Sequence, residues 1–237
     1  ALKAGRSNRL KFSCFCGRVD GTETKEGLLA MQRGKFIVFE GIDGSGKSTQ
    51  IKLLANYLRE KGVSVYTTCE PTDGPIGSVL HQCMTGRIPA DEKTIAALFV
   101  ADRLDHLNNP VNGILSKIEA GITVLSDRYY LSSYAYNGAH VSLDWVMQAN
   151  AMCAELLRPD INIYIDIDPQ VSLGRVSRRG STERYEKLDN MERVRKKYFE
   201  LFERLGKEEK IAVVQSRREV QETAKKIREV ADELFGF

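Results

Sequence analysis

Gly41-Ile-Asp-Gly-Ser-Gly-Lys-Ser-Thr49 gathers the residue types that hold a chain of phosphates. Gly41, Gly46, Lys47 and Ser48 satisfy the spacing G-x-x-x-x-G-K-[ST], and the motif carries meaning only between a strand and a helix. The apolar run Phe36-Ile-Val-Phe-Glu40 precedes it, and Ile51, Leu54, Ala55 and Leu58 follow at helical spacing. Glycines let backbone N–H groups approach phosphate oxygens, and the positive end of the new helix faces the anion. Lys47 is then placed for the β- and γ-phosphates, and the Ser48 hydroxyl for Mg²⁺. The stretch reads as a nucleoside triphosphate site.

Three further groupings have chemical potential. Asp127 follows a buried-looking run, where a carboxylate can hold Mg²⁺ directly or through water, and Arg128 beside it can face a phosphate. On a helix leaving that strand, Arg128, Ser132 and Tyr136 share one face. Phe99 and Arg103 are one helical turn apart, an aromatic plane with a guanidinium beside it, suited to a flat base. Periodicity alone reads Phe99 equally well as core beside Ile95 and Leu98, and Arg103 as a surface partner of Asp102 or Asp105. Most of Tyr129, Tyr130, Tyr134 and Tyr136 read as packing residues, and His81, His106 and His140 as structural or solvated.

The 237 residues fit one α/β domain with a sizeable core, or at most two small ones. A net charge of +3 with interleaved signs does not argue for nucleic acid, and no apolar stretch approaches the roughly 18 residues of a membrane span. Five cysteines, an odd number without paired C-x-x-C motifs, favour reduced thiols in an intracellular protein; Cys14-x-Cys16 is too few ligands for zinc. Residues 1–30 read as an extension before the domain 31–237, with Met31 a natural start. Their basic, acid-poor beginning makes organelle targeting the second reading.

The elements that must position these groups alternate. Strands are expected at 36–40, 63–67, 122–126, 161–166 and 211–214. Helices are expected after the glycine-rich loop to Arg59, from an Asp91 cap to Leu107, from Pro110 to Gly121, at 130–137, 142–157 and 170–177, from Tyr185 to Leu205, and along Val220–Leu234. Glu70-Pro71-Thr-Asp-Gly-Pro75 reads as a loop, and Arg178–Arg184 as a basic one. This order implies an α/β fold with a five-stranded, mostly parallel sheet and helices on both faces, which together with the Gly41–Thr49 loop reads as the P-loop NTPase type. Gly41, Glu70, Asp127 and Asp168 then converge at the carboxyl edge, where such sheets bind ligands.

Several blocks together resemble the thymidylate kinase family: Phe39-Glu-Gly-Ile-Asp-Gly-Ser-Gly-Lys-Ser-Thr-Gln50, Leu98-Phe-Val-Ala-Asp-Arg103, Asp127-Arg-Tyr-x-x-Ser-x-x-Ala-Tyr136, Arg158-Pro-Asp160 and Arg179-Gly-x-x-Glu-Arg-Tyr-Glu186. The likeness spans about residues 31–235. It implies transfer of the ATP γ-phosphoryl group to dTMP with Mg²⁺, giving dTDP and ADP, by a homodimer that uses neither nucleic acid nor membrane. Gly41, Ile42, Asp43, Gly44, Ser45, Gly46, Lys47, Ser48 and Thr49 match the ATP loop, with Asp43 organising the acceptor sugar and phosphate region. Phe99 matches the ring stacked on thymine, Arg103 the guanidinium on its edge, and Arg128 the grip on the acceptor phosphate. Glu70, Pro71, Ser132, Ser133, Tyr136 and Tyr185 complete the acceptor set. Ser48, Asp127 and Glu186 form the metal set, while Lys47, Arg128, Arg179, Arg184 and Asp43 form the catalytic one. The short arginine-rich lid, about 178–186, also holds Arg178.

Three positions depart from the family pattern. Gly44 stands where some members carry arginine, which assigns the transition-state cation to the lid; Cys69 replaces the arginine frequent before Glu-Pro; and Asn137 replaces a frequent Gln. The alternatives are a kinase for another pyrimidine nucleotide or a deoxynucleoside, and a non-catalytic nucleotide-binding regulator. The absence of a guanine-reading N-K-x-D sequence and the arginine-rich lid weigh against the regulator.

Overall fold

The computed structural model describes residues 33–177 and 187–237. Strand β1 (Phe36–Glu40) is buried throughout and runs into the glycine-rich loop, after which α1 (Lys47–Glu60) begins. There follow β2 (Val65–Cys69), α2 (Pro75–Met84), α3 (Glu92–Asn108), α4 (Ile114–Glu119), β3 (Thr123–Asp127) and α5 (Tyr130–Tyr136) with a 3₁₀ turn at Asn137–Ala139. The chain continues through α6 (Leu143–Leu156), β4 (Ile161–Asp166), α7 (Pro169–Val176), α8 (Leu188–Leu205), β5 (Ile211–Gln215) and α9 (Val220–Phe235). The five strands lie in the order β2-β3-β1-β4-β5 and every neighbouring pair is parallel.

Side-chain alternation along β1 divides the core. Phe36 and Val38 face a layer built on α2 to α6 and α8, whereas Ile37 and Phe39 face Leu54 and Leu58 of α1 and Ile227 and Ala231 of α9. A strand buried on both faces needs a continuous apolar run, which is what 36–39 supplies. Asp160 fastens its start: one carboxylate oxygen accepts the Phe36 N–H at 2.7 Å.

The Asp91 cap is present, its carboxylate accepting the Thr94 N–H at 2.7 Å. Several expectations shift, among them the helix after Pro110, which begins at Ile114, and the third strand, which is Thr123–Asp127. The second strand starts at Val65 rather than Val63, because the Val63 N–H closes α1 by donating to Leu58 O at 2.9 Å, with Gly62 at φ +82° making the turn. Its ladder with β3 begins at Val65 opposite Thr123. Helix α2 was not expected beyond the 70–75 loop; Pro75 occupies its first turn and Leu80, Cys83 and Met84 bury its inner face. The charged helix expected from Tyr185 is described from Leu188 onward, as α8. Among the described residues no helix is long and apolar enough to cross a membrane, and Cys69, Cys83 and Cys153 are free thiols.

Leu58 is fully buried between α1 and the sheet. Leu58→Ala therefore lowers the unfolding free energy by about 2–5 kcal/mol in urea titration, and a loss below about 1 kcal/mol would contradict this packing.

Candidate active site

The turn from β1 to α1 is built around glycines. Gly46, at φ +103°, caps a helix that has no side-chain cap and no acid in its first turn, so the first N–H groups of α1 stay available to an anion. Gly44, at φ +79°, is closed in by α7: a Cβ there would stand 2.8 Å from Ser172 O and 3.0 Å from Val176 Cγ2. The arginine that some relatives carry has no room here, which accounts physically for that departure. Ser172 Oγ also donates to Asp43 O, and Arg175 donates to Gly44 O at 3.3 Å, so α7 braces the loop.

Lys47 folds back over the loop, donating to Gly41 O at 3.1 Å and Ile42 O at 3.3 Å, with Asp127 at 3.8 Å. Burial and the neighbouring Arg128 charge lower its pKa, and Asp127, Asp43 and Glu40 oppose them. Ser48 Oγ donates to Asp127 Oδ2 at 2.7 Å. These two groups face the phosphate basin, and their hard oxygens are the donor type that Mg²⁺ takes. Gly44, Gly46 and Thr49 line the same basin, Gly41 and Ile42 contribute the carbonyls under Lys47, and Ser45 Oγ is buried without a hydrogen-bond partner.

Arg128 stands where this basin meets a second cavity. Its Nη2 donates to Asp43 Oδ1 at 2.5 Å and Tyr136 OH at 3.1 Å, its Nη1 to Ser132 Oγ at 3.0 Å and Gly41 O at 3.3 Å. Tyr136 OH donates to the other Asp43 oxygen at 3.0 Å, closing a ring of three side chains. Burial alone would push the Asp43 carboxyl up; Arg128 and Lys47, with the Tyr136 and Arg128 hydrogen bonds, bring it down to about 2.

Phe99, Pro71, Ser132, Ser133 and Tyr136 line the second cavity. Asp43, Pro71, His81 and Arg128 belong to both spaces, so the two are contiguous. Arg103 is behind the wall: it is 1% exposed, pairs with Glu70 at 2.7 Å, and donates to Asn150 Oδ1 and, at 3.1 Å, to Ser133 Oγ. It is not a surface partner of Asp102 or Asp105; Asp102 instead accepts from Thr72. Glu70 lines the phosphate basin and also meets His106 Nδ1 at 3.1 Å. Tyr129, Tyr130 and Tyr134 are core. Arg178, Arg179, Arg184, Tyr185 and Glu186, like Cys14 and Cys16, lie outside the described residues.

The family model for thymidylate kinase matches residues 39–227. The thymidylate kinase of Desulfotalea psychrophila is 42% identical over 164 residues, 68% of this chain and 78% of that protein. A probable thymidylate kinase of Pyrococcus abyssi is 38% identical over 212 residues, 86% of this chain and all of that protein, and the thymidylate kinase of Caldicellulosiruptor saccharolyticus is 35% identical over 208, covering 86% and 98%. The chain belongs to the thymidylate kinase family.

Within this thymidylate kinase family member, sequence reasoning missed three cavity residues. His81 and Met84 come from α2, which was not anticipated. Asn137 was noted only as a departure, yet it is 1% exposed, lines the cavity, and has no hydrogen-bond partner for either amide atom. Its place one helical turn after Ser133 was the available signal.

The Asp43 carboxyl titrates at about 2 in the folded protein against 3.8 ordinarily. Its pairing is therefore a stabilising contribution that is whole above pH 3.8 and is lost as pH falls towards about 2. The melting-temperature gap between wild type and Asp43→Asn stays level from about pH 7 to about pH 5 and narrows below about pH 4; a gap indifferent to pH would remove the pairing from the stability of the site.

Proposed function

We propose that this chain transfers the γ-phosphoryl group of ATP to dTMP, releasing dTDP and ADP, at the junction where Arg128 joins the phosphate basin to the cavity beneath Phe99. That junction carries the reading. A cation already held by Asp43 and Tyr136 is placed to take an acceptor phosphate next to the loop that holds the donor. Gly41 to Thr49 cradle the ATP phosphates, Lys47 reaches the β- and γ-oxygens, and the freed N–H groups of α1 face the same charge.

Ser48 and Asp127 would hold Mg²⁺, with Glu186 the third contributor that the family pattern adds. When bound, the ion neutralises charge on the transferring phosphate. The chain's own part is placement. Phe99 offers its face to the pyrimidine, the Asn137 amide its donor and acceptor to the base edge, and Arg103 sets the Ser133 hydroxyl beside it. Glu70 fixes Arg103, Pro71 forms part of the wall, and Ser132 and Tyr136 hold Arg128. The acceptor oxygen of a monophosphate is already anionic, so no general base is called for. Arg179 and Arg184, with Arg178, would supply the cation that Gly44 cannot, and Tyr185 would close over the sugar.

The exposed stripe of Trp145, Met152 and Leu156 along α6 supports a homodimer through that face. We further read residues 31–237 as one cytoplasmic kinase domain after an extension, with small-molecule nucleotides as its partners.

Coupled ADP-release assays over dTMP, dUMP, dCMP, UMP and thymidine test the substrate, with dTMP expected fastest; fastest turnover of thymidine would overturn the monophosphate reading. Arg128→Ala should lower kcat/KM for dTMP about a hundredfold while moving the ATP KM less than about threefold. Lys47→Ala should do the reverse, with kcat falling about a thousandfold. Asn137→Ala should raise the dTMP KM about tenfold, as expected for losing one well-made buried hydrogen bond. An unchanged KM would place the amide outside base recognition.

A further inference from the structure

Glu40 is a fully buried carboxylate that takes no part in the phosphate chemistry described above. It stands at the carboxyl end of β1, and all its close partners are donors. Oε1 accepts the N–H of Tyr129 at 3.1 Å and of Ser132 at 3.2 Å; Oε2 accepts the hydroxyls of Ser132 at 2.6 Å and Tyr198 at 2.8 Å. Burial pushes its carboxyl up, while those donors and the Arg128 charge oppose the rise. A carboxylate surrounded by directed donors is doing something that an apolar strand end would not.

The backbone next to it shows what. Arg128 has φ +75°, a left-handed conformation that no other non-glycine among the described residues adopts. Such a residue persists when its surroundings over-determine it, and such residues cluster at functional sites. On the near side, the Arg128 N–H donates to Phe39 O at 2.9 Å and Ser126 Oγ donates to Arg128 O at 2.8 Å. On the far side, Glu40 grips the N–H of Tyr129 and of Ser132. The same carboxylate fixes the side chain too, because Ser132 Oγ donates to Glu40 while accepting from Arg128 Nη1 at 3.0 Å.

We propose that Glu40 is a positioning residue for phosphoryl transfer: it holds the left-handed turn at Arg128 and, through Ser132, aims that guanidinium at the acceptor phosphate. The proposal rests on Arg128 as the acceptor clamp. Tyr198 brings α8 onto the same carboxylate and provides a second handle on it. If Glu40 merely capped the start of α5, its loss would lower stability and affect both nucleotides alike.

Steady-state kinetics of wild type, Glu40→Gln and Tyr198→Phe, with dTMP and ATP varied in turn, separate the two. They are to be run beside melting curves and calorimetric binding of dTMP and of a non-hydrolysable ATP analogue. Glu40→Gln should raise the dTMP KM about tenfold and lower kcat about tenfold, with the ATP KM within about twofold. Tyr198→Phe removes one donor from the carboxylate and should raise the dTMP KM about threefold, again sparing ATP. An unchanged dTMP KM in Glu40→Gln, or equal losses for both nucleotides, overturns the proposal. Should Glu40→Gln not fold, Tyr198→Phe decides by the same criterion. A wild type that does not turn over dTMP strikes down the acceptor reading itself and this proposal with it, an outcome distinct from normal wild-type turnover with unaffected variants.

Discussion

The rim that must receive phosphates is lined with acids, and the structure depends on each being bound by the protein itself. Parallel strands bring their carboxyl ends to one edge, so Glu40 of β1, Asp127 of β3 and Asp166 of β4 all arrive there. Left bare, they would repel a nucleotide. Glu40 is satisfied by two amides and two hydroxyls, Asp127 faces Ser48 and Lys47, and Asp166 takes a two-point contact from Arg195 at 2.6 and 2.8 Å with Gln215 beside it. Asp43, on the loop, is held by Arg128 and Tyr136. Cations lent to these acids also remain at the rim for an incoming anion.

A second buried pair works differently. Arg103, behind the cavity wall, and Glu70, at the edge of the phosphate basin, are 2.7 Å apart and both buried, with His106 and Asn150 completing their hydrogen bonds. In such a place, removing one partner costs far more than the pair itself contributes, because a charge is left stranded. The pair thereby fixes the wall: α3, carrying Phe99, and the loop after β2, carrying Pro71, cannot drift independently.

Local pattern made much of this legible. The phosphate loop, the strand at Ile161–Asp166, the Asp91 cap and the amphipathic last helix follow from spacing and residue type, which act over a few residues. The misses have a different physical origin. Helix α2 opens with Gly74 and Pro75 and carries Gly77 and Ser78, so its apolar face looks like part of the preceding loop. Val63 looked like strand because β-branched residues favour one, yet its N–H was claimed by the closing turn of α1. The roles of Arg103 and Glu40 rest on partners dozens of residues away, such as Glu70 and Ser132, which no window on the chain can weigh.

Gly44 carries a lesson for protein engineering. The space beside it is taken by α7, whose Ser172 carbonyl oxygen would stand only 2.8 Å from a Cβ. Transplanting an arginine from a relative into this loop is therefore not a one-residue exchange: it would displace a helix and fight a left-handed φ as well. Such a graft has to be made as a block that includes Ser172 and Val176, and homologues that differ at position 44 should be treated as separate scaffolds when shaping inhibitors to the loop.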